Sequence, residues 1–147
     1  MTKDKIKEIM DACYQAKRVR DMLPALPGGV TSSHIHYLDT LRKLEKTTDR
    51  VKVSDISDEL GLPRPSVTKT LKNMEEMGFI EKESTDADGR YVFIKITDKG
   101  RALVDKYVDR YFDSLSEDLK DISDEDVDKM IEVVRKIYIV MSKRKEK

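Results

Sequence analysis

The sequence has one cysteine, no tryptophan and few aromatic side chains, which make up 6% of its 147 residues. With one cysteine, Cys13, the chain forms no internal disulfide bond, which excludes a small disulfide-stapled fold. No run of about 18 apolar residues is present, so no transmembrane helix is expected. The opening MTKDKIKEIM lacks the apolar segment of a signal peptide. We therefore expect a cytoplasmic protein with no membrane partner.

Net charge is also absent, because 29 basic and 29 acidic residues cancel. Charged residues nevertheless make up 39% of the chain, a proportion that suits helices with long solvated faces. The two signs are segregated: residues 61–74 contain Arg64, Lys69 and Lys72 but no acid, whereas acids concentrate in residues 109–128. A domain that coats nucleic acid is usually basic overall, so only a local basic face fits this composition.

Motifs for catalysis and metal binding are missing as well. The sequence has no nucleophile motif, no glycine-rich phosphate loop and no metal-ligand spacing. His34 and His36 lie two positions apart, which directs them about 200° apart on a helix, so they do not form a chelating pair. We expect no enzymatic activity, no metal and no cofactor.

What is present is a series of helical patterns interrupted by one hairpin. Apolar residues recur at helical spacing in residues 3–23, and again in the helices predicted to begin near Thr31 and Thr97. Ser54 is predicted to cap a short helix, and SDED is predicted to form a capping box for the last one. FIEKES and RYVFIKI flank a DADG turn and predict a β-hairpin. The predicted fold is mainly α with a small β-hairpin wing, and it contains six helices.

The helix predicted from Arg64 to Met77 separates its side chains by type. Val67, Leu71 and Met74 fall on one side and are predicted to pack inwards. Hydroxyl and cationic groups occupy the N-terminal half of the other side, as in helices that read the DNA major groove. The short preceding helix joins through GLP, which predicts a helix-turn-helix, and the hairpin makes it winged. The predicted recognition-helix residues are Arg64, Pro65, Ser66, Thr68, Lys69 and Lys72.

The tip of the predicted hairpin offers a second contact with DNA. Asp88 and Arg90 flank Gly89 there. An arginine at such a tip fits a narrow minor groove, and a neighbouring acid orients its guanidinium.

The segment VSDISDELGLPRPSVTKTLKNMEEMGFIEKESTDADGRYVFIKITDKGRAL resembles the MarR family of winged helix-turn-helix transcriptional regulators. The resemblance implies a homodimer that forms through intertwined N- and C-terminal helices and binds a palindromic DNA operator. It also implies that a small ligand or an oxidant weakens DNA binding. Asp88 and Arg90 match the family's wing pair, and Thr97 and Gly100 match the end of its motif. Position 63 departs from the family, because proline stands where a capping serine or threonine is frequent.

The same resemblance implies how the chain is divided into segments and which residues take part in its regulation. One compact domain is expected, with a dimerisation helix and linker (1–30), a DNA-binding lobe (31–100) and C-terminal dimerisation helices (101–147). Met22, His36 and Tyr37 are candidates for a pocket that binds a small aromatic or phenolic effector. Cys13 is a candidate oxidant sensor, although its place on the apolar stripe of the first helix favours a buried, inert side chain.

Three hypotheses about function therefore stand. The leading one is a dimeric, sequence-specific DNA-binding regulator, a repressor released by an effector. The alternatives are a winged-helix protein that acts through protein contacts or general DNA architecture, and an oxidant sensor based on Cys13. Sequence preference in DNA binding discriminates the first from the second.

Overall fold

The computed structural model describes residues 1–84 and 91–145, in two units that are each compact, Met1–Tyr107 and Val108–Lys147. The predicted wing-tip residues Asp88 and Arg90 lie outside the described residues. The helices and strands are α1 (Lys3–Asp21), α2 (Ser32–Glu45), β1 (Val51–Lys52), α3 (Val53–Leu60), α4 (Arg64–Glu76), β2 (Ile80–Ser84), β3 (Val92–Ile96), α5 (Asp98–Val104), a π-helical segment (Asp105–Asp109), α6 (Arg110–Asp118) and α7 (Asp124–Lys145).

The element order confirms the predicted fold class. Because α5, the π-helical segment and α6 follow one another without a loop, the described residues contain six uninterrupted helical stretches, as predicted. A three-stranded antiparallel sheet with the order β1-β3-β2 adds one short strand to the predicted hairpin. In its register Val51 lies opposite Ile94, and Ile80 lies opposite Ile96. All four of these side chains are buried, so this face of the sheet is apolar.

The core of the first unit lies between this sheet face and helices α2 to α5. Buried apolar side chains from α2, α3 and α4 complete it, at the positions that helical spacing predicts. The largest fully buried side chains are Leu38, Leu41, Val51, Ile56, Val67, Leu71, Met74, Ile80 and Val104.

A polar bridge joins the end of α2 to the sheet and to α5. The carboxylate of Glu45 accepts a hydrogen bond from Arg101 Nη2 at 2.7 Å and another from the Ile96 N–H at 3.4 Å. The ion pair is partly exposed, so we expect it to contribute less than about 1 kcal/mol. Its main effect is to join α2 to β3 and α5, since it connects residues that are 51 and 56 positions apart in the chain.

Two predicted helix caps are confirmed at α2 and α7. Thr31 Oγ1 accepts from the His34 N–H at 3.3 Å, and the Thr31 N–H donates back to His34 Nδ1 at 3.1 Å. The second bond requires an unprotonated Nδ1, which explains how the buried His34 is satisfied. Ser123 Oγ accepts from the Asp126 N–H at 3.1 Å at the start of α7.

The predicted cap of α3 is wrong by two residues. Lys52, not Ser54, precedes the first helical residue, and its N–H donates to Asp55 Oδ2 at 2.8 Å. The carboxylate of Asp55 thus accepts the Lys52 N–H from within the first turn of the helix. A negative charge at this place is also stabilised by the positive end of the helix dipole.

The outer helices differ from this core. None of the residues of α1, α6 or α7 is buried. The apolar side chains of α7 repeat at helical spacing and are exposed in this chain. They include Val127, Met130, Ile131, Val134, Tyr138 and Met141.

Thr97 joins the end of β3 to α5 and to the residues that follow α4. Its Oγ1 accepts from the Gly100 N–H at 3.2 Å, which confirms the predicted cap, and its hydroxyl donates to the Gly78 carbonyl at 2.6 Å. The Thr97 N–H donates to the Phe79 carbonyl at 3.1 Å. A Cβ on Gly100 would lie 2.3 Å from the Phe79 carbonyl oxygen and 2.9 Å from Ile96 Cγ2. Only glycine therefore fits at position 100.

We predict that Gly100→Ala lowers the free energy of unfolding by about 3 kcal/mol or more, because a backbone oxygen has to move. Helix propensity alone would give the opposite sign, a gain of about 1 kcal/mol. Urea unfolding measures the difference. Gly28→Ala is the control, since a Cβ there meets no atom within 4 Å. Equal stabilities of the two variants would contradict the steric account.

Candidate nucleic-acid interface

The turn between α3 and α4 is closed by two hydrogen bonds between the same two residues. The Leu62 N–H donates to the Ser57 carbonyl at 3.2 Å, and Ser57 Oγ donates to the Leu62 carbonyl at 2.6 Å. Ser57 is buried, and Gly61 ends α3 in the left-handed conformation. The sequence analysis did not single out Ser57. The available signal was a polar residue one position after the core residue Ile56 and four before the glycine of the turn.

Proline at position 63 changes how α4 begins without displacing it. Pro63 is extended, and its carbonyl accepts from the Ser66 and Val67 N–H groups at 3.1 and 3.2 Å. The helix therefore starts at Arg64 with Pro65 in its first turn, where the absence of an N–H costs nothing. No side chain caps this end, and its first turn carries no acid.

The two faces of α4 are arranged as predicted. Val67, Leu71 and Met74 are fully buried against the rest of the first unit. All six predicted recognition-helix residues are exposed: Arg64, Pro65, Ser66, Thr68, Lys69 and Lys72.

The cations on this face are not paired with acids. Within residues 1–84 and 91–145, Arg64, Lys69 and Lys72 form no ion pair. The acids of α4 stand at its other end, where Glu75 Oε2 pairs with Lys82 Nζ of β2 at 3.1 Å. The positive charge is thus concentrated in the N-terminal half of the helix, where the helix dipole has the same sign.

The C-terminal end of α4 is closed by a Schellman motif. Gly78, with φ of 79°, adopts the left-handed conformation. Its N–H donates to the Glu75 carbonyl at 2.9 Å, and the Phe79 N–H donates to the Met74 carbonyl at 3.0 Å. Phe79 and Met74 are both buried, as the apolar contact of this motif requires. The helix is therefore fixed at both of its ends by contacts that do not involve its exposed face.

The candidate regulatory residues are distributed differently. Met22 and His36 are exposed, whereas Tyr37 belongs to the core and is 3% exposed. Cys13 is exposed within this chain, so the expectation that it packs as a buried hydrophobe is wrong for the single chain. The effector and oxidant assignments stay predictions.

Two features are absent from the residues that the structure describes. Within them, no group of three or more His, Cys, Asp or Glu side chains is arranged to hold a metal ion. Likewise, no helix of the described chain has the length and apolar character needed to cross a membrane.

Comparison with known proteins gives the same fold. Residues 28–90 match the model of the MarR family. The resemblance to the MarR family is confirmed. FabT of Streptococcus pneumoniae, solved in complex with DNA, has a TM-score of 0.66 at 22% identity over 97% of this chain and 99% of that one. A MarR/EmrR family transcriptional regulator from Acinetobacter sp. ADP1 has a TM-score of 0.64 at 20% identity, with coverages of 97% and 99%.

A third structure was solved with a ligand. The PcaV transcriptional regulator from Streptomyces coelicolor, in complex with its natural ligand, has a TM-score of 0.63 at 16% identity over 88% of this chain and 89% of that one. At these identities the likeness establishes the MarR winged-helix fold, and nearly the whole chain takes part in it.

We predict that Ser57→Ala lowers the free energy of unfolding by about 1–2 kcal/mol, because the Leu62 carbonyl loses its buried donor. Ser54→Ala is the matched control. Ser54 lies in the same helix and its side chain makes no hydrogen bond within the described residues, so its replacement should change stability by less than about 0.5 kcal/mol. Urea unfolding of both variants tests this. Similar losses in the two would show that the turn does not depend on the Ser57 hydroxyl.

Proposed function

We propose that this protein is a dimeric, sequence-specific transcriptional regulator that binds double-stranded DNA in the cytoplasm. In this proposal it is a repressor, its operator is palindromic, and a small-molecule effector releases it. The observation that carries the proposal is the exposed, unneutralised cationic half of α4 on a helix that is fixed at both ends. No catalytic role is proposed.

The side chains of α4 suit the two tasks of a DNA-reading helix. Lys69 and Lys72 supply positive charge for phosphates, which gives affinity without sequence preference. Arg64, Ser66 and Thr68 carry donors or hydroxyl groups near the helix N-terminus, the part that enters a major groove in helix-turn-helix proteins. Asp88 and Arg90 are proposed to extend the contact through the wing.

The zero net charge of the chain supports selective binding over coating. Protein–DNA association gains from each phosphate that a cation neutralises, whatever the sequence. In a chain of zero net charge, residues 61–74 carry three cations and no acid, which favours binding of DNA through this segment. The same reasoning argues against the alternative of general DNA architecture, which needs a more extensive basic surface.

Similar proteins support DNA and effector binding without deciding either. FabT was solved in complex with DNA and PcaV with its natural ligand, and both share the fold of this chain. For the effector we retain Met22, His36 and Tyr37 as candidates, and a small aromatic or phenolic molecule as the ligand class. Cys13 is retained as the candidate site of an oxidant response, the remaining alternative.

The test begins with selection of genomic DNA fragments on the purified protein near physiological salt. A palindrome whose half-sites lie about one helical turn apart is expected. With that operator, Lys69→Gln and Lys72→Gln should each reduce the slope of log affinity against log salt concentration by about 1.8, because the dimer loses one phosphate contact in each subunit. Each should also weaken specific and non-specific DNA alike.

Lys129→Gln on α7 is the control for loss of one positive charge, and its slope should equal that of the wild-type protein. If the α4 variants behave like this control, α4 is not the DNA-contacting helix. If selection retains fragments that share no motif, the architectural alternative is the better one.

The evidence for a homodimer lies in α7. Its apolar side chains repeat at helical spacing, as on a packed face, although none of the residues of α7 is buried in this chain. A second copy of the chain supplies an identical stripe, and two such stripes form a symmetric interface. Ile131→Asp should raise the dimer dissociation constant about a hundredfold or more, since a charge would be buried. Sedimentation equilibrium measures the change.

Lys129→Asp is the control, because residue 129 lies about 160° away from residue 131 around the helix. It should leave the dimer intact. A monomeric wild-type protein, or equal effects of the two substitutions, would contradict an interface on this stripe.

A further inference from the structure

We propose that Lys99 is a positioning residue for DNA recognition. It contacts the C-terminal end of α4 and sets the orientation of that helix, and it does not itself contact DNA. The inference rests on the proposed function, because the orientation of α4 matters to affinity only if α4 contacts DNA.

The first observation is the hydrogen bond that Lys99 makes. Its Nζ donates to the Met77 carbonyl at 2.8 Å. Met77 is the C-terminal cap residue of α4, and the last carbonyls of a helix have no partner within it. The Schellman bonds of Gly78 and Phe79 satisfy the carbonyls of Glu75 and Met74 and leave that of Met77 open. Lys99 therefore satisfies a group that the helix itself cannot.

The second observation is how Lys99 reaches that carbonyl. Its Nζ lies 5.1 Å from the centre of the Phe79 ring, so the ammonium is held by the ring face as well. Its stem crosses the Gly78 turn, since a Cβ built on Gly78 would lie 3.7 Å from Lys99 Cδ. The side chain is thus placed by three consecutive residues, Met77 to Phe79, across 22 positions of sequence.

The charge of Lys99 also has the favourable sign at this place. The C-terminal end of a helix carries a partial negative charge, which a cation stabilises. Lys99 and Lys82 both stand at this end of α4, and Lys82 pairs with Glu75 at 3.1 Å.

Anchoring one end of a rigid helix controls the position of the other. α4 has 13 residues and is therefore about 20 Å long, so a tilt of about 10° about its buried middle displaces each end by about 2 Å. A displacement of that size separates a side chain from a base edge, whereas a flexible lysine still reaches a phosphate. Loss of the Lys99 anchor should therefore reduce specific binding more than non-specific binding.

The experiment compares Lys99→Met, which keeps the stem and removes the donor and charge, with Lys99→Arg, which restores both. We expect Lys99→Met to raise the Kd for the selected operator about three- to tenfold, with unchanged affinity for unrelated DNA and an unchanged salt slope. Lys99→Arg should recover most of the affinity. Lys95→Met, at an exposed position of β3, is the control for charge and should resemble the wild-type protein.

Two results would overturn the inference. An operator Kd for Lys99→Met equal to that of the wild-type protein or of Lys95→Met would remove the positioning role. A salt slope reduced by about 1.8, with equal weakening on all DNA, would make Lys99 of each subunit a phosphate contact instead. A wild-type protein that binds no DNA contradicts the proposed function itself.

Amide chemical shifts of Gly78 and Phe79 test the contact without DNA. They should change in Lys99→Met and return towards the wild-type values in Lys99→Arg. If they are the same in all three proteins, the anchor does not exist in solution.

Discussion

The packing around α4 depends on the hydroxyl group of Thr97. One oxygen atom accepts from the Gly100 N–H at 3.2 Å and donates to the Gly78 carbonyl at 2.6 Å, so it joins the start of α5 to the residues that end α4. A hydroxyl has one donor and two acceptor sites, which allows both bonds. The close approach that they require is possible because Gly100 has no side chain to meet the Phe79 carbonyl. The hydrogen bonds of Thr97 therefore depend on the glycine at position 100, which permits the close approach to Phe79.

The exposed face of α4 gains from this arrangement because none of its own residues is needed to hold the helix. The turn before α4 is closed by Ser57, and the turn after it by Gly78 and Thr97. Side chains such as Thr68 and Lys69 are left without a structural task. A binding surface on a rigid element loses little conformational entropy in its backbone when a partner is bound. This separation of support from contact is what makes the charge pattern of α4 interpretable as a site.

Local patterns in the sequence predict local features of this fold, such as the buried face of a helix. They do not predict contacts between residues that are far apart in the chain. The period of α4 places Val67 and Leu71 inside because helix geometry alone decides that face. The Ser54 cap failed because Asp55 offers a competing acceptor one position away, and propensity does not separate the two. The Lys99 contact with Met77 depends on how β2 and β3 bring distant residues together, which no window of sequence contains. Periodicity therefore predicts which site residues are exposed, but it does not predict the contacts that hold α4 in place.

The outer helices show the same limit in another form. Periodicity identifies Ile131 and Val134 as members of an apolar stripe, but it does not identify what covers that stripe, and both are exposed in the single chain. The charge pattern of α4 adds an argument for a second copy. One recognition helix has a few cations and a short row of side chains, which limits both affinity and the number of bases read. A symmetric dimer doubles both and fixes the distance between the two helices through its interface. The proposed dimer therefore accounts for both the apolar stripe and the cationic helix, because in it the first would set the spacing at which the second reads DNA.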